Sequence, residues 1–352
     1  MNNEQHHRRG AKTQRFRRGT LNRFSLRHLC ASAPLRLSLL GLIIANTAQA
    51  QPAPNFPNRP IRMVAGMPPG GGADVSGRRL AVQLGRVLKQ NIVVENIAGA
   101  AGNSAAVTVA GGNPDGHTIF FSSHPVFAVN PILYEKLPFN PNDFQPVAQV
   151  SQASHVLLAN LTLPATRVSD LIALARTKPR SLNFGSGGQG TSLHLSGELL
   201  NYLYKIELVH VPYRGSGPAI VALVSNEIQV LFDNSMTAIG HVRGGRVKPL
   251  GVAAKTRLAA LPDVPTLGES GAPGVETGIS HGVLVLSAVP KPVVATLNRA
   301  INAAISDPEY QAAMTELGAA LIGGPPEVFA KFIAAERVKF AELIKKQGIK
   351  AN

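Results

Sequence analysis

The chain has 352 residues, 45% hydrophobic and 16% charged, which is length enough for two domains and a balance that excludes a disordered or collagen-like polymer. The formal charge of +15 points to nucleic acid only until it is located: residues 1–50 hold nine basic side chains against Glu4 alone, and the other 302 carry 26 basic and 19 acidic ones. That remainder has no dense Lys/Arg stripe with interleaved aromatics, so nucleic-acid recognition is set aside.

The N-terminal segment explains the asymmetry. A basic stretch ends at Arg36, an apolar run follows from Leu37 to Ile44, and Ala48-Gln49-Ala50 closes it. This is the order of a secretory signal peptide, and the apolar run falls short of the ~20 residues that span a bilayer. Cleavage near Ala50 releases a soluble chain starting at Gln51. The only cysteine, Cys30, precedes the apolar run, so no lipid anchor is expected there. The mature chain then has no disulfide and no cysteine-based metal or redox chemistry.

Beyond the signal, short β-branched runs alternate with helical patterns. Strands are expected at Ile61–Ala65, Asn91–Glu95, His117–Ser122, Val156–Asn160, Ser181–Gly185, Leu208–Pro212, Ile228–Phe232, Lys248–Ala253 and Gly282–Ser287. Helices are expected at Asp74–Lys89, with Leu80, Leu84, Val87 and Leu88 on one face, and at Gln189–Tyr204 and Gly215–Val224. A long C-terminal helix, Pro325–Lys346, carries Phe329, Ile333, Phe340 and Ile344 along one stripe. The alternation argues an α/β fold with mostly parallel sheets. Phe144–Asn160 and Gly278–Pro290 read as unbroken extended stretches, of the kind that crosses from one lobe to another and back.

Strand-to-helix turns are where α/β proteins bind ligands, because helix N-termini present unpaired N–H groups and partial positive charge. Five such turns stand out. The first runs through Pro69, Gly70, Gly71 and Gly72 to Asp74, which serves either as a helix cap or as a ligand contact. The second is Ser122-Ser123. The third runs from Ser186 through Gly187, Gly190 and Thr191 to His194. The fourth is Tyr213-Arg214-Gly215-Ser216-Gly217-Pro218, and the fifth opens at Asp233. Together they are rich in N–H and hydroxyl donors and poor in catalytic groups, which suits a carboxylate ligand.

Enzyme readings find little support. There is no G-x-x-x-x-G-K-[ST], neither Ser186 nor Ser216 sits in a G-x-S-x-G, and the histidines His124, His155, His194, His210, His241 and His281 are scattered without metal spacing. Neither a metal nor a cofactor is expected. Ser186 with His194 is the nearest approach to a nucleophile–base pair.

Specific segments resemble a known family. Arg59-Pro-Ile-Arg62, Pro68-Pro-Gly-Gly-Gly-Ala-Asp74, Val93-Val-Glu-Asn96, Gly99-Ala-Ala-Gly102 and Pro114-Asp-Gly-His-Thr118 are similar to the N-terminal half of the tripartite tricarboxylate transporter receptors, also called Bug receptors. Asn130-Pro-Ile-Leu-Tyr134, Asp143-Phe-Gln-Pro-Val147, Gly185-Ser-Gly-Gly-Gln-Gly190, His210-Val-Pro-Tyr-Arg-Gly215, Leu261-Pro-Asp-Val-Pro-Thr266 and Glu269-Ser-Gly271 continue the likeness in order. The resemblance implies a type II periplasmic-binding-protein fold: two α/β lobes, two crossover strands and a ligand cleft between the lobes. It places lobe 1 at 51–153 and 282–352 and lobe 2 at 154–281. It further implies a periplasmic, monomeric receptor closing on a di- or tricarboxylate, acidic amino acid or aromatic acid, for a membrane permease or a sensor ectodomain. The turns named above carry over as its ligand-binding residues. An α/β enzyme, or an interaction protein with a vestigial cleft, is the alternative. The chain departs from the family at Met67 in place of phenylalanine, at Asn96-Ile-Ala-Gly99, and near Ser280-His281-Gly282, where the family commonly has tryptophan and this chain has none.

Overall fold

The computed structural model describes residues 55–350, so the signal-peptide reading and Cys30 lie outside the described residues. The chain runs β1 (Ile61–Ala65), α1 (Gly72–Leu88), β2 (Ile92–Asn96), α2 (Asn103–Ala110), β3 (Thr118–Ser123), α3 (Pro125–Ala128) and α4 (Asn130–Leu133) before entering the long β4 (Phe144–Ala159). It continues through α5 (Val168–Thr177), β5 (Asn183–Ser186), α6 (Ser192–Tyr204), β6 (Val209–Pro212), α7 (Ser216–Val224), β7 (Val230–Asn234), α8 (Ser235–Arg243) and β8 (Lys248–Val252). It returns by β9 (Gly278–Leu286) and ends in α9 (Lys291–Ile305), α10 (Pro308–Glu316), β10 (Ala319–Leu321) and α11 (Pro326–Gln347).

Two α/β lobes result, each built on part of one twisted strand path. In the first, β1 pairs in parallel with β2 and β3, and β9 runs antiparallel between β3 and β4. In the second, β5 lies parallel between β6 and β7, while β4 runs antiparallel to β7 and β8. Strand β4 belongs to both. It pairs with β9 as far as Ser154↔Gly278 and takes up β7 at His155↔Asn234. At the same point Thr277, just before β9, accepts a hydrogen bond from His155 N and donates one to Ala253 O. Strands β4 and β9 are the two crossings. The stretches Phe144–Asn160 and Gly278–Pro290 are extended as expected, except that β9 ends at Leu286 and Ser287–Pro290 turn into α9.

Each sheet is buried on both faces because successive strand side chains point opposite ways. On β3, Phe121 enters a core with Ile61, Leu80, Leu84 and Leu297, whereas Phe120 enters the opposite core with Val64, Phe329 and Phe340. On β4, Leu157 joins one core of the second lobe and Val156 and Leu158 the other. Helix α1 buries Leu80 and Leu84 completely and Ala73 and Ala81 nearly so. Val87, in the last turn of α1, is 43% exposed, unlike the face expected for it. The expected stripe on α11 is buried, at Phe329, Ile333, Phe340 and Ile344.

Candidate functional site

The strand-to-helix turns of the two lobes face each other across one cavity of about 660 Å³. Five helices present their N-termini to it. From the first lobe come Gly71 and Ala73 of α1 and Gly102 of α2; from the second come Thr191 of α6, Gly215 of α7 and Asn234 of α8. The first amides of a helix have no partner within it and carry roughly half a positive charge. The N-caps of α1, α2 and α7 are glycines that make no side-chain cap, so these amides are not taken up by their own N-cap residue. Ser123, Thr191, Ser192 and Ser216 add hydroxyls to the wall. Arg214 is exposed at the rim, and among the described residues the wall holds no other arginine, lysine or carboxylate. Such a surface can hold an anion by hydrogen bonds and helix-end potential, without a buried ion pair.

Of the residues singled out from sequence, Gly71, Ser123, Gly187, Thr191, Tyr213, Gly215 and Ser216 form part of this wall. The loops before α1 and α7 nearly touch: a Cβ added at Gly215, whose φ is +105°, would lie 2.7 Å from Pro68 Cγ. The phenol of Tyr213 donates to Glu227 at 2.7 Å. Burial and that carboxylate push its pKa up to about 12.

The others stand behind or beside the wall. Asp74 is not the cap of α1 but lies within its first turn, 5% exposed. Its carboxylate accepts from Gly70 N at 2.9 Å, Asn96 Nδ2 at 2.9 Å and Arg78 Nε at 2.8 Å, which ties down the loop. Burial opposes its ionisation, but these donors prevail and hold the carboxyl below its usual range. Gly72 follows the cap of α1, and Pro69, Gly70 and Pro218 lie off the wall, Pro69 and Gly70 on an exposed stretch and Pro218 on the exposed face of α7. Ser122 is buried and donates to Ser123 O.

Ser186 is also buried. Its Oγ lies 2.6 Å from His210 Nε2 and accepts from Gly188 N at 3.1 Å. The pairing with His194 suggested by sequence is replaced by one with His210, and His194 instead stacks on the His210 ring at 3.9 Å. His194 Nδ1 accepts from Gly190 N at 3.1 Å, which sets the turn before α6. Gly190 has a φ of +77°, and any side chain there would run into Leu133 across the cleft. Asp233 is fully buried and accepts from Thr237 Oγ1 at 2.7 Å and Asn234 N at 2.8 Å. Burial raises its carboxyl to about 7 against those two bonds.

Two parts of the wall escaped the reading of turns. One is the loop Ala98–Gly102, in which Ala100 and Ala101 have φ of +45° and +52°. That left-handed conformation costs an alanine about 1–2 kcal/mol and concentrates at functional sites. The Gly99-Ala-Ala-Gly102 motif was the available signal. The other is His281 on β9, which faces Ser123 on β3. It lies in mid-strand, away from any turn, and the available signal was the departure from the family at Ser280-His281-Gly282. Among the described residues there is no group of three or more His, Cys, Asp or Glu able to hold a metal, and no helix long and apolar enough to cross a membrane.

Two α/β lobes, two crossing strands and a cavity ringed by helix N-termini define the periplasmic-binding-protein class of solute receptor. Comparison with known proteins agrees. Residues 77–349 match the tripartite tricarboxylate transporter family receptor. A protein encoded in the tcbD-tcbE intergenic region of Pseudomonas sp. strain P51 is 35% identical over 90% of this chain and 96% of its own length. The structure of R. palustris Rpa4515 with adipate superposes at a TM-score of 0.81 with 31% identity, covering 84% of this chain and 99% of that one. MatC from Rhodopseudomonas palustris with bound malate gives 0.78 and 32%, covering 82% and 100%. The chain belongs to the tripartite tricarboxylate transporter receptor family.

Proposed function

We propose that this protein is an exported, monomeric receptor that captures a small carboxylate in the periplasm and hands it to a membrane permease or a sensor. The observation that carries the reading is the convergence of five helix N-termini on one cavity with almost no charged side chains. Adipate and malate in the related structures support a ligand with a carboxylate at one or both ends. The lobes divide after residue 153 and, on the return, at Gly278 rather than 282, because Gly278–His281 pair with β4 in the first-lobe sheet, and they move about these two crossings. Gly71, Ser123, Gly187, Thr191, Tyr213, Gly215 and Ser216 line the bound ligand, and Asp74, Ser186, His194 and Asp233 hold their loops in place. Binding occurs without turnover. Ser186 is buried and committed to His210 and to the loop amide of Gly188, so it offers no free nucleophile.

The test is a thermal-shift screen of mature protein against mono-, di- and tricarboxylates, followed by calorimetry and recovery of the ligand. A ligand at 100 times its Kd stabilises by about 2.7 kcal/mol. The expected outcome is a raised melting temperature with 1:1 stoichiometry and ligand returned unchanged. A panel that shifts nothing, or a ligand chemically converted, overturns the proposal.

A further inference from the structure

Arg214 stands between β6 and α7, where the two lobes meet, and it lines the cavity. Its backbone is held on both sides. Tyr213 N donates to Ser186 O at 3.0 Å and Gly215 N to Gly187 O at 3.1 Å, and Gly215 lies against Pro68 of the opposite lobe. Its side chain is uncommitted: it is exposed, and among the described residues it makes no hydrogen bond and no ion pair. Other arginines are taken up by the protein, Arg78 by Asp74 and Asn96, and Arg257 by Glu269. Among the described residues Arg214 is the single charged side chain on the wall, so no carboxylate there offsets its charge. The uncharged donors lie deeper. Gly102, Ser192 and Asn234, at the starts of α2, α6 and α8, belong to the same wall and are buried. One end of the cavity thus offers helix ends and hydroxyls, and its mouth offers a free guanidinium.

We infer that Arg214 makes this receptor selective for dicarboxylates, pairing at the mouth with the second carboxylate of a ligand whose first is held by the buried helix ends. The inference rests on the carboxylate reading above. A guanidinium is planar and meets a carboxylate through two parallel N–H donors. In open water such a pair contributes little, but closure of the lobes removes water and strengthens it. A ligand with a single carboxylate on the buried donors leaves Arg214 solvated and gains nothing from it. A charge at the rim also speeds encounter with anions, an effect that salt weakens.

The experiment measures, by calorimetry, the affinities of native protein, Arg214→Gln and Arg214→Lys for succinate, glutarate and adipate. It adds the monomethyl ester of whichever diacid binds best, which keeps the length and removes one charge. Circular dichroism and unliganded melting temperatures confirm each fold; the exposed side chain makes no contact whose loss would unfold the protein. Native protein is expected to prefer the diacid over its monoester by about 10-fold, and less at high salt. Arg214→Gln is expected to lose that preference by weakening the diacid alone, and Arg214→Lys to keep part of it. Two results overturn the inference and leave the carboxylate reading standing: no diacid preference in native protein, or an Arg214→Gln that changes diacid and monoester alike or neither. Failure of native protein to bind any of these acids, or any member of the wider carboxylate panel, overturns that reading and the inference with it.

Discussion

At the scale of single residues, burial sets the ionisation of several groups, and the signs can be worked out. His155 and His281 are fully buried, and their pKa values are pushed down to about 3 from 6.5, chiefly by desolvation. Below pH 6.5 the unfolded chain takes up protons that the folded one refuses, so each costs up to about 1.4 kcal/mol of stability per pH unit as the pH falls towards 3. Asp233 acts the other way. Its folded value of about 7 lies above the ordinary carboxyl value of 3.8, so stability is lost as pH rises between those values. His210 is likewise pushed down to about 3, chiefly by desolvation, so three groups outweigh one. Denaturant unfolding between pH 6.5 and 4 is expected to lose stability with acid, with His155→Gln flattening the fall and Asp233→Asn steepening it. None of this was legible in the sequence, where Asp233 read as a ligand contact and His155 as one scattered histidine. Burial is a property of neighbours that the residue's own sequence context does not specify.

At the scale of elements, legibility followed how local the determinants are. Helices α1, α6, α7 and α11 were read to within a few residues, because apolar spacing and glycine-rich starts are local signals. Helix α9 carries the same signal in Val293, Leu297 and Ile301, all buried at i, i+4 spacing, although it was not assigned from sequence. Helix α8 was missed for a different reason. It begins at Ser235 straight after β7, so its cap Asn234 read as part of a turn, and Gly240 interrupts its interior. Strand β10 has three residues and exists through its pairing with Ser151–Ala153 of β4, a partner far away in sequence. The turns before α1 and α7 show what an element contributes to function. An alanine at Gly215 would combine a disfavoured φ with a clash against Pro68 wherever the two loops lie as close as here. Gly215→Ala is expected to weaken ligand binding by at least about 10-fold, and the φ strain alone to lower the stability of the unliganded protein by about 1–3 kcal/mol. Calorimetry and urea titration check both halves.

At the scale of the whole molecule, two lobes share β4 and are joined again by β9, so the cavity depends on how the lobes approach. If they move about these crossings, ligand draws the loops of α1 and α7 together. Small-angle scattering is expected to record a smaller radius of gyration on adding saturating ligand, and Gly215→Ala is expected to reduce the change. Scattering that is identical with and without ligand would contradict hinge closure. By itself the sequence determined the α/β class, the two long crossing stretches, the donor-rich turns and the family, because periodicity, glycine placement and ordered motifs are written along the chain. Only the tertiary structure decided which turns reach the cavity, that Asp74, Ser186 and Asp233 brace the loops behind it, and that His281 and the strained Ala98–Gly102 loop belong to its wall. The physical reason is that side chains point from strands and turns into a space enclosed by both lobes. Whether a polar atom there meets protein or ligand depends on residues a hundred or more positions away.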